Sequence, residues 1–531
     1  MPISRRQFAQ LLGMGAVGAA VARVPAAFAQ DAATLRIAMN TSDIQTLDPH
    51  YASGSQDRAT VDMIFNGLVR YVPGRSDAFE PDLAEAMPTV TVNDDGTQSW
   101  SFTLKSGVKT HGVDTAPSAD LTVDDLLFSF GKASNADSSA YAGDYAGWTF
   151  AAGDGANEFV VTTPTALSES LVLPKVANYS GGYIIPQAAY EAIGADGFIT
   201  SPVGTGPFAF SAHNPQVDVQ LVAFADYFRG APQLAGVNVV FQADPTAREL
   251  ALQSGDLDVI YGLSEAAWSD RMDALDGYTS DVFGVGEQVF LNLNVEHEIL
   301  KDAKVREAII KAVSRDNHLA LSGEPVAQKT FSVVPAALIP GGLTEEEAEA
   351  AGVNYQQDIE GAKALLAEAG YADGFELDLV TSEQTAYRTN YEVLQEELRQ
   401  VGITVNLEVV QHATMHELIR QDRNPITIYI AFRPTADTYL TQFFSTDGGV
   451  TNFSKFTVDD LRDQARAETD TEAQEELWRQ ADIAIAQAYA GFGIMFVNQV
   501  FVRKDTVEYG HELVAVVQLY PGIDETTTIS G

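Results

Sequence analysis

The chain has 531 residues, 46% of them hydrophobic and 9% aromatic, with no cysteine and with 32 Lys+Arg against 73 Asp+Glu, a formal net charge of -41. This length suits two or three lobes, since a single core stops growing near ~250–300 residues, and the composition excludes a disordered chain. The missing cysteine excludes disulfides, thiolate metal sites and thiol nucleophiles, and the charge excludes nucleic acid as a partner, because such a surface repels phosphates.

In chain order, Ser4-Arg5-Arg6-Gln7-Phe8 precedes a short, weakly apolar run from Leu11 to Val21 and the small-residue site Ala27-Phe28-Ala29. This pattern predicts a twin-arginine export signal over residues 1–29, too short and too rich in Gly and Ala to span a bilayer. With no cysteine to carry a lipid anchor, the mature chain is expected to be soluble in a Gram-negative periplasm. Thr34 to Met39 then predicts a strand, and Trp100 to Leu104 alternates as a half-buried strand does. The stretch 134–157, rich in Gly, Ala, Ser and Asp, predicts a surface excursion.

Further along, Asp358 suits the cap of a helix with Leu365, Leu366 and Ala369 on one face and Gly370 at its end. Asn390 to Val401 repeats that pattern and stops at Gly402. Ile403, Val405, Leu407 and Val409 alternate as a strand with one buried face. A helix over about Met415 to Gln421 and the strand Ile426 to Ile430 follow. This βα alternation predicts an α/β lobe with a largely parallel sheet.

Signatures of catalysis are missing. His-Glu occurs at His297-Glu298, His416-Glu417 and His511-Glu512, but the position of the second zinc histidine holds Lys301, Arg420 and Ala515. No Gly-x-Ser-x-Gly elbow, phosphate loop or calcium loop occurs, so the expectation is a protein that is not an enzyme, with no cofactor. His412 and His416 stand four apart, a metal-pair spacing on a helix. His412 falls where the strand ends, however, so the spacing is not expected to hold, and no metal site is assigned.

Several phrases follow one another in a telling order: Thr46-Leu47-Asp48-Pro49, Ile64-Phe65-Asn66-Gly67-Leu68-Val69, Pro81-Asp82-Leu83-Ala84-Glu85, Trp100 to His111, Leu121-Thr122-Val123-Asp124-Asp125, Pro202-Val203-Gly204-Thr205-Gly206-Pro207-Phe208, Ala251 to Val259 and Leu291-Asn292-Leu293-Asn294. Together they resemble the peptide/nickel-type family of extracellular solute-binding proteins of ABC importers, over about residues 35–505. The resemblance implies an α/β fold, a two-lobed periplasmic binding protein of type II with an extra subdomain in the first lobe and a ligand cleft between the lobes. It places lobe I at 34–290 plus 495–531, its inserted subdomain at about 76–200, and lobe II at 291–494. It also implies a monomer that takes a small-molecule or peptide ligand and docks on the permease subunits of the transporter. A peptide is the family default; an opine, a nickel chelate or another non-peptide solute is the alternative, and a secreted hydrolase the remote one.

The same resemblance places Ser53, Gly54, Ser55 and Gln56 near the pocket and sets Tyr261 either on its wall or in the core. His412 occupies a ligand-facing aromatic position. The loop after Ile430 supplies Phe432, Arg433 and Asp437, and Tyr387 and Arg388 lie at the cleft edge. Phe432 stands where peptide binders carry a Trp, and the loop is shorter, so this chain departs from the pattern that anchors a peptide's amino terminus. Arg433 suits a ligand carboxylate or a neighbouring Asp equally. With Asp437 it is expected to orient a zwitterion.

Overall fold

Two long strands, Tyr278–Leu293 and Gly491–Lys504, run antiparallel through the middle of the molecule and join its two halves. The computed structural model describes residues 33–530; the expected export signal lies outside them. The strand pair belongs to a nine-stranded sheet. On one side the order continues through Val259–Tyr261, Thr34–Met39, Gly236–Phe241, Asp218–Ala223 and Phe208–Asn214; on the other, Tyr278–Leu293 pairs with Ile426–Ala431.

Strand alternation sends side chains to both faces of this sheet. Leu35, Ile37 and Met39 enter one core with Phe501, while Ala38, Val500 and Val502 enter another with Leu252 and Trp268. A third core forms on the four-stranded antiparallel sheet Thr89–Val92, Gln98–Thr103, Glu158–Thr163 and Thr149–Ala152. There Trp100 lies opposite Val161 and Phe102 opposite Phe159. The fourth core runs from Val289 to Met495 and packs the helices of the second half.

The expected opening strand is present over Thr34–Met39, and the Trp100 strand over Gln98–Thr103. Three expectations change. The stretch 134–157 is no mere surface excursion: it supplies an edge strand, Thr149–Ala152, and buries Tyr145 and Trp148, which meet edge to face.

The parallel sheet of the second half is only a pair, Phe375–Ser382 with Ile403–Val410. Ile426–Ala431 instead joins Tyr278–Leu293 antiparallel. The reason lies in Asn424, whose side-chain amide donates to Val380 O at 2.9 Å and accepts from Val380 N at 2.8 Å. A side chain thereby satisfies main-chain groups that a neighbouring strand would otherwise take.

The third change concerns the helix expected from Met415. It spans His412–Arg420 with Gln411 at its N-cap, so His412 and His416 do lie one turn apart on one helix.

The conserved-looking phrases of the first half meet in one buried network. His111 N donates to Gly204 O and Gly206 N to Ile64 O, both at 2.8 Å. The Thr205 hydroxyl donates to Asn66 Oδ1 at 2.9 Å, and Asn66 Nδ2 reaches both oxygens of Asp82 at 3.1 Å. Any Cβ on Gly204 or Gly206 would overlap the backbone at Ile64, so this close approach requires glycine.

Candidate functional site

The central strand pair builds the site through an irregularity. Phe283 pairs with Gln499 and Glu287 with Val497, so Gly284, Val285 and Gly286 face Asn498 alone. A bulge of this kind bends a strand and re-aims its side chains. Gly286 has no room for a Cβ against the Val497 carbonyl, and Gly284 packs beside Leu338. Glu287, the first paired residue past the bulge, lines a cavity of about 300 Å³.

The neighbouring strand Ile426–Ala431 ends opposite this point, with Ala431 beside Gln288, and thereby delivers Phe432 and Arg433 next to Glu287. From the first half, the helix Ser55–Ile64 delivers Arg58. Arg58, Phe432 and Arg433 also line an adjoining cavity of about 440 Å³, reached by Tyr141, Tyr145, Tyr179 and Asp437. The two cavities form one cleft with both halves of the chain in its walls.

Charge is distributed unevenly here. The Arg58 guanidinium lies over the Tyr179 ring at 5.2 Å, and its Nε is buried without a hydrogen-bond partner among the described residues. Arg433 donates through Nε to Gln442 and through Nη1 to Phe432 O, and sits over the Phe443 ring at 5.3 Å. Its partners are all neutral. Glu287 presents its surface to the cleft while protein atoms enclose it otherwise; burial raises its pKa, opposed by the positive charges of Arg433 and Arg58. Among the described residues no donor hydrogen-bonds to its carboxylate. Two cations and one anion thus face the same space.

One wall is aromatic and imidazole. Tyr387 accepts from Ile430 N and donates to Ile430 O, which ties the helix Thr385–Gln400 to the strand end. His412 and His416 lie edge to face with centroids 4.5 Å apart, His412 near Tyr387 and His416 near Tyr429. Burial lowers both pKa values, that of His416 to about 4, with His412 and Arg420 adding to the effect.

Of the residues expected from sequence, Ser53, Tyr387, His412, Phe432 and Arg433 line the first cavity, and Asp437 only the second. Asp437 is held by Arg466, with Nε at 2.6 Å and Nη2 at 3.1 Å, so its charge is already matched. Gly54 is the N-cap of the Ser55–Ile64 helix, and Ser55 and Gln56 occupy its first turn, outside the cavity lining. Tyr261 packs edge to face on Phe501 behind the wall, where burial and the charge of Glu287 push its pKa up to about 12. Arg388 is exposed and pairs with Glu392 at 3.3 Å. Sequence reasoning missed Arg58 and Glu287. The signal available was the pair Gly284 and Gly286, which flanks the bulge.

Asp57, the residue before Arg58, is 0% exposed; its Oδ1 accepts from Gln45 N at 2.9 Å and its Oδ2 has no partner among the described residues. Burial pushes this carboxyl up to about 6. The folded state therefore retains a proton that the unfolded chain releases near pH 4, and this contribution to stability is lost as pH rises from about 4 to about 6. Asp57→Asn is expected to gain about 2–3 kcal/mol on the parent between pH 4 and pH 7, measured by urea unfolding. A stability difference that stays constant across that range rules this account out.

Over residues 78–450 the chain matches the family described as bacterial extracellular solute-binding proteins, family 5 Middle. The chain belongs to this family. It is similar to the dipeptide-binding protein of Escherichia coli K12, 26% identical over 467 residues that cover 82% of this chain and 84% of the relative. Among solved structures it resembles MoaA of A. tumefaciens R10 in complex with mannopinic acid, at 33% identity and a TM-score of 0.79, covering 94% of this chain and all of that one. It also shares the fold of the ABC transporter-associated periplasmic binding protein DppA of Helicobacter pylori in complex with the peptide STSA, with a TM-score of 0.76 at 20% identity over 93% of this chain and 98% of that one. The fold is thus the two-lobed α/β architecture of the family, and the protein is a solute-binding component of an ABC importer. Among the described residues no helix is long and apolar enough to cross a membrane.

Proposed function

We propose that this solute-binding protein captures a small amino-acid-derived solute carrying more carboxylate than ammonium, and passes it to its permease from the periplasm after twin-arginine export. The convergence of Arg58 and Arg433 on a cleft that holds Glu287 carries this reading. A guanidinium with free N–H groups pairs with a carboxylate in bidentate geometry, and a lone carboxylate suits an ammonium. A dipeptide would use one of each. The second arginine favours an opine-like acid, in keeping with the 33% identity to the mannopinic acid complex.

In this reading lobe I is 34–290 with 495–531, including an inserted subdomain at about 76–200, and lobe II is 291–494. The core from Val289 to Met495 and the cores that draw on residues before Phe283 and after Val500 support that division. Closure brings the lobes together at the inserted subdomain, where Ser168 and Ser170 hydroxyls donate to Gln474 Oε1 at 2.9 and 2.6 Å. Flexing at the Gly284–Gly286 bulge would release them.

A thermal-shift panel of opine acids, dipeptides, tripeptides, betaines, sugars and nickel–histidine tests the assignment. A ligand at 100 times its Kd adds about 2.7 kcal/mol to stability. Stabilisation by opine acids above dipeptides is expected. Stabilisation by sugars or betaines alone would exclude a carboxylate-led site.

A further inference from the structure

The two histidines of the cleft wall have an arrangement that the solute reading leaves unused. His412 Nε2 and His416 Nε2 face each other at 3.2 Å, one turn apart on the helix His412–Arg420. His412 Nδ1 lies 3.1 Å from the Ser382 hydroxyl. With that hydroxyl accepting, Nδ1 carries the proton and Nε2 keeps its lone pair, the ligating tautomer that an outer hydrogen bond commonly fixes. Both rings line the cavity that Arg433 and Glu287 share, and His416 Nδ1 is buried without a partner among the described residues.

We propose that His412 and His416 form a two-point site for a divalent first-row transition metal ion, with its remaining positions open to the cleft. Nitrogens 3.2 Å apart at metal–nitrogen distances of about 2.0–2.1 Å subtend about 100–106° at the ion, between octahedral and tetrahedral values. The pair needs no rotation of either ring, only the loss of a hydrogen bond between them. Among the described residues no group of three His, Asp or Glu side chains is placed to hold a metal. The other ligands therefore come from water or from the solute, whose amine and carboxylate make a natural chelate. The ion requires only the histidines; its role as a bridge to the solute rests on the function proposed above. Neutral imidazole selects nickel, copper or zinc over magnesium and calcium, which prefer oxygen. This distinction matters in so acidic a protein.

The purified protein is titrated with nickel alone, in excess magnesium to occupy surface carboxylates. One ion per chain is expected. His412→Gln and His416→Gln should each weaken it at least about 10–100-fold, the range already lost when an outer-shell partner is removed. His297→Gln, far along the chain on another segment, should leave it unchanged. With copper, nitrogen hyperfine splitting should fall from two nitrogens to one in each single variant. Nickel affinity that is absent, or equal in parent and both cleft variants with melting preserved, overturns the site. Arg433→Ala separates the two readings: it should lose the solute and keep the nickel. A flat solute panel beside histidine-dependent nickel binding would remove the solute assignment alone.

Discussion

Arg58→Ala is expected to weaken solute binding by about 2–5 kcal/mol while leaving the fold intact, the usual cost of losing one partner of a buried, hydrogen-bonded charge pair. The guanidinium is positioned before any solute arrives: its helix is docked in the first lobe, its plane lies over Tyr179, and its Nε has no partner among the described residues. Little ordering entropy remains for binding to meet. Arg433→Ala should act in the same direction but less, because Gln442 and the Phe432 carbonyl already take two of its donors. Glu287→Gln discriminates between ligands. A zwitterionic dipeptide should bind it more weakly, whereas a solute with two carboxylates should lose little. Titration calorimetry with the panel's best ligand decides the matter, and unchanged affinity in folded Arg58→Ala would refute the assigned role.

The sequence phrases that reveal the family are chiefly structural, which explains why the fold was legible and the site was not. Asp48 of Thr46-Leu47-Asp48-Pro49 accepts from His50 N at 3.0 Å and pairs with buried Lys132 at 2.9 Å, and it points away from the cleft lining. Pro202 to Phe208 packs its glycines on Ile64. Such local demands leave a readable mark because only certain residues satisfy them. Arg58 and Glu287 leave none: among 73 acidic residues a single Glu carries no signal, and its aim depends on a register shift against a strand some 200 residues away. The zwitterion expected on the Phe432–Asp437 loop failed to foresee Arg466, a partner supplied by a different helix, which takes Asp437. His412 and His416 had the right spacing, yet their helix begins three residues earlier than its apolar pattern indicates, because Gln411 starts it without a side-chain cap.

Asp82→Asn should be the most destabilising single change considered, about 3–5 kcal/mol, because it breaks a buried ion pair from one side. Asp82 is 0% exposed and pairs with the Arg229 guanidinium. Its oxygens also accept from Asn66 Nδ2 and, at 3.2 Å, from Gly67 N. An amide in its place must turn a donor toward at least one of those donors and leaves the guanidinium without its counter-charge. Arg229 Nη1 already lacks a partner among the described residues, so the loss has no local remedy. The exposed pair Arg75–Asp77, at 2.7 Å, is the control: Asp77→Asn should cost less than about 1 kcal/mol, since water screens both partners. Urea midpoints of the two variants measure the contrast, and equal costs would show that burial does not set the strength of the Asp82 pair. Asn66 follows directly on the helix that carries Arg58, so the network that Asp82 closes also holds the far end of the arm that reaches the solute. Asp82→Asn should therefore lower solute affinity as well, by less than Arg58→Ala, because it loosens the mount and leaves the contact in place.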